Sequence, residues 1–278
     1  MNPAKCTLNR AIKTRGVANY TIHSKNNENA NMLTLGYDLE MWDGYGEKFP
    51  VATDISPSTN SHSLICGLSG GGKSFKLQHD MARLELLEQS HGGTMYFLNY
   101  KNDESMSYLQ GCPRYYTYKK TIEGLDAVYD ILQNRLAGDN DRRPVTLIWD
   151  EYVSNILALQ EADKKLATTC MNRVSEILLM GRSLGIRLIT ATQRSDAAVY
   201  STGARLNYGV VCILGGYIRS IYEMLLPDHM EQVREFVEKR PFSRGEGVCL
   251  LQGAELHFIK VPVVDTEHVK VLCIQALS

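Results

Sequence analysis

Residues 67–74 read GLSGGGKS, and this stretch determines which fold class the rest of the chain must support. It fits the pattern G-x-x-x-x-G-K-[ST], with Gly67, Gly72, Lys73 and Ser74 at the fixed positions. Glycine backbone can wrap around an anion, and the N-terminus of a following helix presents N–H groups to the same anion. The alternative is a glycine-rich turn between a strand and a helix that binds no nucleotide.

The phosphate-loop interpretation predicts a role for each part of the stretch. Lys73 is expected to reach the β- and γ-phosphates of ATP, and Ser74 to ligate Mg²⁺. The remaining backbone is expected to hold the phosphates through its N–H groups, which adds Gly67, Ser69, Gly70, Gly71 and Gly72 to the predicted nucleotide-binding residues.

The chain around the loop alternates short apolar runs with longer amphipathic ones. Continuous apolar runs are typical of strands that are covered on both faces, and alternating strands and helices predict a mostly parallel sheet flanked by helices. The predicted strands are SLICG (63–67), TMYFLNY (94–100), VTLIWDE (145–151), IRLITATQ (186–193) and YGVVCILGG (208–216). The predicted helices run from Lys73 to about Glu88, over about 121–136 and over about 161–184.

The two ends of the chain differ from this pattern. Residues 1–62 are predicted to form a small β-rich lead-in and connector, with MLTLGYDLEMWDG (32–44) and EKFPVATDI (47–55) as strands joined by a turn. Residues 63–278 then form the main α/β domain. Near the end, GVCLLQ (247–252) and LHFIKVPVV (256–264) are predicted as strands of an antiparallel edge.

A second functional motif is VTLIWDEY at 145–152, an apolar strand that ends in two acids. In a nucleotide hydrolase, Asp150 would hold magnesium and Glu151 would polarise the attacking water as a general base. Alone, the pair could be an ordinary surface feature at a strand end. A third motif is the strand IRLITATQRS, where Gln193 is the predicted sensor of the γ-phosphate, with Thr192 beside it.

Composition limits the class of protein. The 278 residues carry 30 basic and 31 acidic side chains, so any contact with a polyanion must be local. The seven cysteines are scattered singly, which favours reduced thiols in the cytoplasm over disulfides. The sequence offers no apolar stretch of membrane-spanning length, so we expect no direct membrane insertion.

The order of the motifs resembles the FtsK/SpoIIIE branch of the HerA–FtsK P-loop ATPases over about residues 33–255. LIWDEY (147–152) resembles the family's Walker B strand, and GRSLGIRLITATQR (181–194) resembles its "RAxGIHLxxATQRP" block, with Ser195 in place of the proline. In MYFLNYKNDE (95–104), Asn99 and Tyr100 stand where the family has Asp and Pro, and Lys101 matches.

The resemblance implies a RecA-like ATPase that assembles as a ring, usually a hexamer, and moves a polymer, usually double-stranded DNA. In such a ring a neighbour's arginine completes each ATP site. Arg182 is the first candidate, with Arg173 and Arg205 as alternatives. Arg182 at a helix end could instead offset the helix dipole.

DNA contacts are expected in the loops. Arg194 and Arg205, in the segment 193–209, are the predicted phosphate contacts. KNDES (101–105) and RYYTYKK (114–120) are further candidates, although RYYTYKK also suits a strand with solvated lysines.

The family resemblance suggests a motor for a mobile element, such as a conjugative coupling protein, recruited by a membrane-bound or relaxosome partner. Three alternatives remain open at this point. They are a viral genome-packaging ATPase, an FtsK-like protein-secretion ATPase, and a kinase or nucleotide switch outside the motor class.

Overall fold

The computed structural model describes residues 31–56, 59, 62–101, 104–193, 199, 203–261 and 266–278. Within these residues, ten strands form one mixed sheet in the order β2-β1-β10-β9-β8-β3-β7-β6-β4-β5. The strands are β1 (Met32–Asp38), β2 (Pro50–Asp54), β3 (His62–Gly67), β4 (Thr94–Asn99), β5 (Tyr115–Thr117), β6 (Val145–Asp150), β7 (Ile186–Thr192), β8 (Tyr208–Leu214), β9 (Glu246–Leu251) and β10 (Glu255–Lys260).

Helices cover both faces of this sheet. The helices are α1 (Leu39–Tyr45), α2 (Lys73–Glu88), α3 (Thr121–Leu136), α4 (Tyr152–Ala162), α5 (Lys164–Met180), α6 (Arg219–Leu225), α7 (Met230–Lys239) and α8 (Thr266–Ala276). No helix in the described part of the chain is both long and apolar enough to cross a membrane.

The parallel half of the sheet confirms the predicted α/β architecture. Strands β8, β3, β7, β6, β4 and β5 pair in parallel, and five of them lie where the apolar runs predict strands. Because parallel strands end at the same edge, the residues after β3, β6 and β7 come together there. This edge carries all three motifs of the sequence.

The antiparallel half differs from the prediction in its position. β9 and β10 pair antiparallel as expected, but they do not form the edge of the sheet. β1 pairs with β10 and β2 pairs with β1, so the two strands of the lead-in extend the same sheet outward. Whether residues 1–62 form a separate domain, as predicted, stays a prediction.

The predicted strand over 32–44 is wrong after Asp38, because Leu39–Tyr45 forms α1. The Asp38 side chain accepts a hydrogen bond from the Met41 N–H at 2.9 Å, which is a helix N-cap. Gly46 ends the helix in the left-handed conformation. These local capping contacts outweigh the strand-like run of apolar residues.

Two buried layers hold the helices against the sheet, because neighbouring residues of each strand point to opposite faces. Ile65, Ile148 and Ile189 pack on the face covered by α2 and α8. Leu64, Leu147 and Leu188 pack on the opposite face, under α3, α4 and α5. A third cluster, under α6 and α7, covers β8 and β9. The two-sided burial explains why these strands are mostly apolar, with few polar residues.

The segment RYYTYKK is only partly a strand. Tyr115–Thr117 forms β5 beside β4, and Tyr118–Lys120 turns into a 3₁₀ helix. The predicted helix over 161–184 is divided between the end of α4, the helix α5 and a short 3₁₀ turn. Most of α4, which begins directly after Glu151, was not predicted from the sequence.

His62 generates a prediction about pH. Its Nδ1 accepts a hydrogen bond from the Leu188 N–H at 3.0 Å, which joins β3 to β7. Burial, together with the charges of Arg187 and Arg182, lowers the pKa of His62 to about 3. The unfolded chain instead binds this proton near pH 6.5, so the stabilisation is complete above pH 6.5 and is lost as the pH falls toward 3.

As the pH falls from neutral to about 5, we therefore expect His62 to lower the free energy of unfolding by about 2 kcal/mol. His62→Gln keeps an acceptor for the Leu188 N–H. Its free energy of unfolding, measured with urea at the two pH values, should therefore fall by about 2 kcal/mol less than that of the wild type. His91→Gln changes an exposed histidine and is the control. Equal losses in wild type and His62→Gln would contradict the assignment.

The buried pair Arg187–Glu88 generates a second prediction. Arg187 Nη2 lies 2.9 Å from Glu88 Oε1, Nη1 donates to Thr146 Oγ1 at 3.0 Å, and both charged side chains are buried. Arg187→Met should lower the free energy of unfolding by about 3–5 kcal/mol, because Glu88 would keep a buried charge without its partner.

The control for this pair is Arg219→Ala, which breaks the exposed pair with Glu223 and should cost less than about 1 kcal/mol. Denaturant unfolding of the three proteins measures both values. If the two variants lost similar amounts of the free energy of unfolding, burial of the Arg187–Glu88 pair would not be the cause of its contribution to stability.

Candidate nucleotide-binding site

The loop between β3 and α2 has the backbone of a phosphate cradle. Gly67, Gly70 and Gly72 have φ angles of +153°, +78° and +110°, which favour glycine strongly. Gly72 precedes α2 and offers no side-chain cap, so the first N–H groups of this helix face the loop without a side-chain acceptor from that position. This arrangement suits an anion such as a phosphate group.

The loop also packs tightly against the neighbouring backbone. A Cβ on Gly67 would lie 2.1 Å from the Leu214 oxygen, and one on Gly71 would lie 2.7 Å from the same atom. A Cβ on Gly72 would lie 2.9 Å from the Gly245 Cα. Gly67 and Gly72 are therefore required by this packing as well as by their φ angles, and Gly71 by the packing alone.

Lys73 lies inside the loop. Its Nζ donates to the Gly67 oxygen at 2.7 Å and to the Leu68 oxygen at 3.1 Å, and the side chain is buried. Burial lowers the pKa of the Lys73 ammonium, while the nearby charges of Glu151 and Asp150 act in the opposite direction. The ammonium is thus held at the centre of the cradle, within the same cavity as the two acids.

Asp150 and Glu151 lie at the end of β6, as predicted, and both are buried. Glu151 has a φ angle of +56°, a left-handed conformation that is uncommon for a residue with a side chain. It is also the N-cap position of α4. Backbone of this kind is found where the surrounding structure fixes a functional side chain.

Three side chains fix the Glu151 carboxylate. Lys101 Nζ lies 2.8 Å from Oε1, and Gln193 Nε2 donates to the same oxygen at 2.9 Å. Ser154 Oγ donates to Oε2 at 3.1 Å. Since Lys101 follows β4 and Gln193 follows β7, the carboxylate joins the ends of three neighbouring parallel strands.

These groups surround one cavity of about 140 Å³. Its lining combines the phosphate loop with the acidic and sensor residues, namely Ser69, Gly70, Gly72, Lys73, Ser74, Phe75, Lys101, Asp150, Glu151, Gln193 and Arg244. The Ser74 hydroxyl and the Asp150 carboxylate are oxygen donors of the type that Mg²⁺ prefers, and the loop supplies N–H groups for phosphate. The residues present therefore fit a magnesium nucleotide.

The candidate trans-acting arginine, Arg182, lies outside this cavity. It is exposed in the turn that precedes β7, at the opposite edge of the sheet from the phosphate loop. It lines a separate surface depression with residues of β2, including Thr53 and Asp54. Arg182 therefore does not contact this chain's own nucleotide cavity, and its trans-acting role stays a prediction.

The other predicted arginines are in different surroundings. Arg173 contacts Asp126 and lies over the Tyr129 ring at 4.9 Å, so it has partners within this chain. Arg205 is half-buried in the turn before β8, and its Nη1 is buried without a hydrogen-bond partner among the described residues. Arg194 lies outside the described residues.

Two features of the cavity were not predicted from the sequence. Lys101 belongs to KNDES, a candidate DNA-contact segment, and in the structure it contacts Glu151. Parallel pairing of β4 with β6, which brings Asn99 opposite Asp150, is the signal that could have located it. Arg244 and Phe75 line the cavity without any motif. Asn99, at the family's Asp position, donates to the Tyr115 hydroxyl at 2.8 Å.

Comparison with known proteins places these features in context. No protein-family model matches the chain. The chain is 26% identical over 201 residues to the FtsK domain-containing protein YdcQ of Bacillus subtilis, which covers 66% of this chain and 40% of YdcQ. The chain thus corresponds to less than half of the length of that relative.

Solved structures share the fold at low sequence identity. The pCW3 conjugation coupling protein TcpA, in a monomer form with ATPγS, superposes with a TM-score of 0.63 at 16% identity, over 92% of this chain and 72% of TcpA. The cytoplasmic domain of the type VII secretion ATPase EccC of Thermomonospora curvata gives a TM-score of 0.61 at 18% identity, over 92% of this chain and 32% of EccC.

The predicted RecA-like fold is confirmed by these structures, and the sequence relative carries the FtsK name. In sequence the chain is similar to an FtsK domain-containing protein, and in fold it is similar to the coupling protein and the secretion ATPase, as the resemblance of its motifs predicted.

Proposed function

We propose that this chain hydrolyses ATP with Mg²⁺ and uses the energy to move double-stranded DNA through a ring of identical subunits. The observation that carries the proposal is the single cavity in which the phosphate loop, Asp150, Glu151 and Gln193 meet. A loop alone would suit any nucleotide-binding protein. A loop combined with a fixed acid beside a magnesium ligand suits an enzyme that activates its own water.

Binding and hydrolysis fall to different residues in this proposal. The backbone of Ser69–Gly72 and the Lys73 ammonium hold the phosphates, with Ser74 and Asp150 as ligands for Mg²⁺, which would neutralise phosphate charge when bound. Glu151 then orients and deprotonates the attacking water. Lys101 and Gln193 both donate to Oε1 of this carboxylate, and they hold it until a nucleotide binds.

The ring is proposed from the position of Arg182. An exposed guanidinium at the edge opposite the phosphate loop can reach a site on the next subunit if the subunits pack head to tail. There it would supply positive charge to the transferring phosphoryl group. We propose a hexamer, by analogy with FtsK-like motors.

One observation supports DNA as the proposed cargo. The fold similarity to a protein named as a conjugation coupling protein extends over 92% of this chain. The near-neutral composition requires a local contact, for which Arg194 and Arg205 remain the proposed phosphate contacts. We place the chain in the transfer or maintenance of a mobile element, in the cytoplasm, with a membrane-bound or relaxosome partner as the proposed recruiter.

Protein cargo is the second candidate, because the secretion ATPase EccC shares the fold to a similar degree. The two candidates differ in what should stimulate hydrolysis. Duplex DNA should raise the rate of a DNA motor and leave a protein motor unchanged.

We expect the ATPase rate of the purified chain to rise at least several-fold with long duplex DNA. Lys73→Ala should abolish nucleotide binding and hydrolysis, because the charge at the centre of the cradle is removed. Glu151→Gln should keep nucleotide binding and lower turnover by at least about 10²-fold, because a general base contributes 10²–10⁴-fold to rate. Phosphate release and nucleotide titration measure these quantities.

Ser154→Ala is the matched control for Glu151→Gln, since it removes only one hydrogen bond to the same carboxylate. Its turnover should fall far less. Full turnover in Glu151→Gln would refute the general-base assignment. Hydrolysis that ignores duplex DNA would instead favour a protein cargo.

The ring predicts complementation between two inactive variants. Arg182→Ala should hydrolyse ATP slowly, because each site lacks its neighbour's arginine. Mixing Arg182→Ala with Glu151→Gln should restore part of the activity, since some mixed interfaces combine an intact Glu151 with an intact Arg182. A matching mixture of Arg219→Ala with Glu151→Gln gives the rate due to dilution, because Arg219 is an exposed arginine on α6. If Arg182→Ala keeps the wild-type rate alone, this arginine is not the trans-acting one.

A further inference from the structure

Arg244 is an exposed arginine that lines the nucleotide cavity and belongs to none of the three motifs. Its guanidinium carbon lies 5.2 Å from the centre of the Phe75 ring, over the ring face. Among the described residues it forms no ion pair, unlike its neighbour Arg240, which is paired with Glu246 and Asp43. A cation without a carboxylate partner, in a cavity that suits a polyanion, calls for a chemical explanation.

The segment that carries Arg244 is fixed to the phosphate loop. The Gly245 N–H donates to the Gly71 oxygen at 3.0 Å, and the Val261 N–H donates to the Gly245 oxygen at 2.7 Å. Next to it, Glu246 is held by Arg240 at 2.8 Å and by Lys260 at 3.0 Å. The backbone on which Arg244 stands is therefore tied to the loop that binds the phosphates.

The order of the strands locates Arg244 relative to the reacting end of the nucleotide. The phosphate loop follows β3, which lies between β8 and β7 in the sheet. Asp150, Glu151 and Gln193 follow β6 and β7, on one side of β3. Arg244 precedes β9, on the other side. Arg244 therefore flanks the loop on the side opposite the residues assigned to Mg²⁺ and the γ-phosphate.

Phe75 supports the same assignment. It directly follows Ser74 on the first turn of α2, and it is only partly buried although it is a large apolar side chain. A guanidinium stacked on an aromatic ring can present its second face to a nucleobase and its edge N–H groups to a phosphate.

We propose that Arg244, supported by Phe75, binds the nucleoside and α-phosphate end of the nucleotide in this chain's own site. The inference rests on the proposed ATPase function and adds a residue that sets affinity for the nucleotide without acting on the γ-phosphate. Arg244 is then a binding residue that both ATP and ADP engage, so it raises affinity before and after hydrolysis alike.

Calorimetric titration in the Glu151→Gln protein, which does not consume ATP, tests the proposal. Arg244→Ala should weaken ATP and ADP to a similar extent, about tenfold each, as expected for the loss of one charge-assisted contact. Binding of inorganic pyrophosphate, which lacks both the nucleoside and the α-phosphate, should remain within about twofold. In the protein with Glu151 intact, the same substitution should raise KM for ATP and leave kcat nearly unchanged.

Two further variants separate stacking from charge. Phe75→Leu removes the ring but keeps an apolar side chain. It should lower the affinity for ATP and for ADP by a smaller factor than Arg244→Ala does. Arg234→Ala removes an exposed arginine of α7 and is the matched control, which should leave all three ligands unchanged. Thermal unfolding of each variant checks that the fold is intact.

Each other outcome overturns the proposal in a recognisable way. If Arg244→Ala lowered the affinity for ATP and left the affinity for ADP unchanged, Arg244 would lie at the γ-phosphate. Unchanged affinity for both nucleotides would make the Arg244–Phe75 contact a packing feature only. If the Glu151→Gln protein and the wild type bound no nucleotide at all, the proposed ATPase function itself would fail, which is distinct from a failure of Arg244.

Discussion

The close approach of three backbone segments is the constraint on which the rest of this structure depends. The loop after β3 touches the end of β8 at Leu214 and the start of β9 at Gly245, at distances that leave no room for a Cβ. Gly67 and Gly72 are therefore needed twice, once for their φ angles and once for this contact. The contact also joins the parallel half of the sheet, which carries the acids, to the antiparallel half, which carries Arg244. A side chain at Gly67 or Gly71 would collide with β8, and one at Gly72 would collide with the segment that precedes β9.

The parallel strands could be predicted from sequence because their burial is complete. Ile148 and Leu147 face opposite layers of helices, so β6 is mostly apolar on both faces, and the same holds for β3 and β7. The elements that sequence could not predict depend on local or long-range contacts instead. α1 begins because the Asp38 carboxylate caps it. The position of β10 inside the sheet depends on β1, which is more than two hundred residues away along the chain.

The candidate site divides in the same way. The cradle around Lys73 and the pair Asp150–Glu151 were predictable, because each is a short motif at the end of an apolar strand. The contacts of Glu151 with Lys101 and Gln193 were not, because they follow from the order of β4, β6 and β7 in the sheet. Arg244 had no motif at all, since only the hydrogen bond between Gly245 and Gly71 brings it to the cavity. The sequence therefore predicted those parts of the fold and of the site that depend on a single segment of the chain.

The contacts of Glu151 also suggest how a proposed motor would sense its nucleotide. Oε1 receives both the Lys101 ammonium and the Gln193 amide, which leaves this oxygen saturated by donors. A γ-phosphate near Lys73 is a stronger acceptor for the same cation and amide, because it carries more negative charge than one carboxylate. Binding would therefore compete for Lys101 and Gln193 and release Glu151 toward water. Lys101 follows β4 and Gln193 follows β7, so the same exchange of hydrogen bonds would act at the ends of two strands at once. Arg194, one of the two proposed DNA contacts, is the next residue after Gln193 in the sequence.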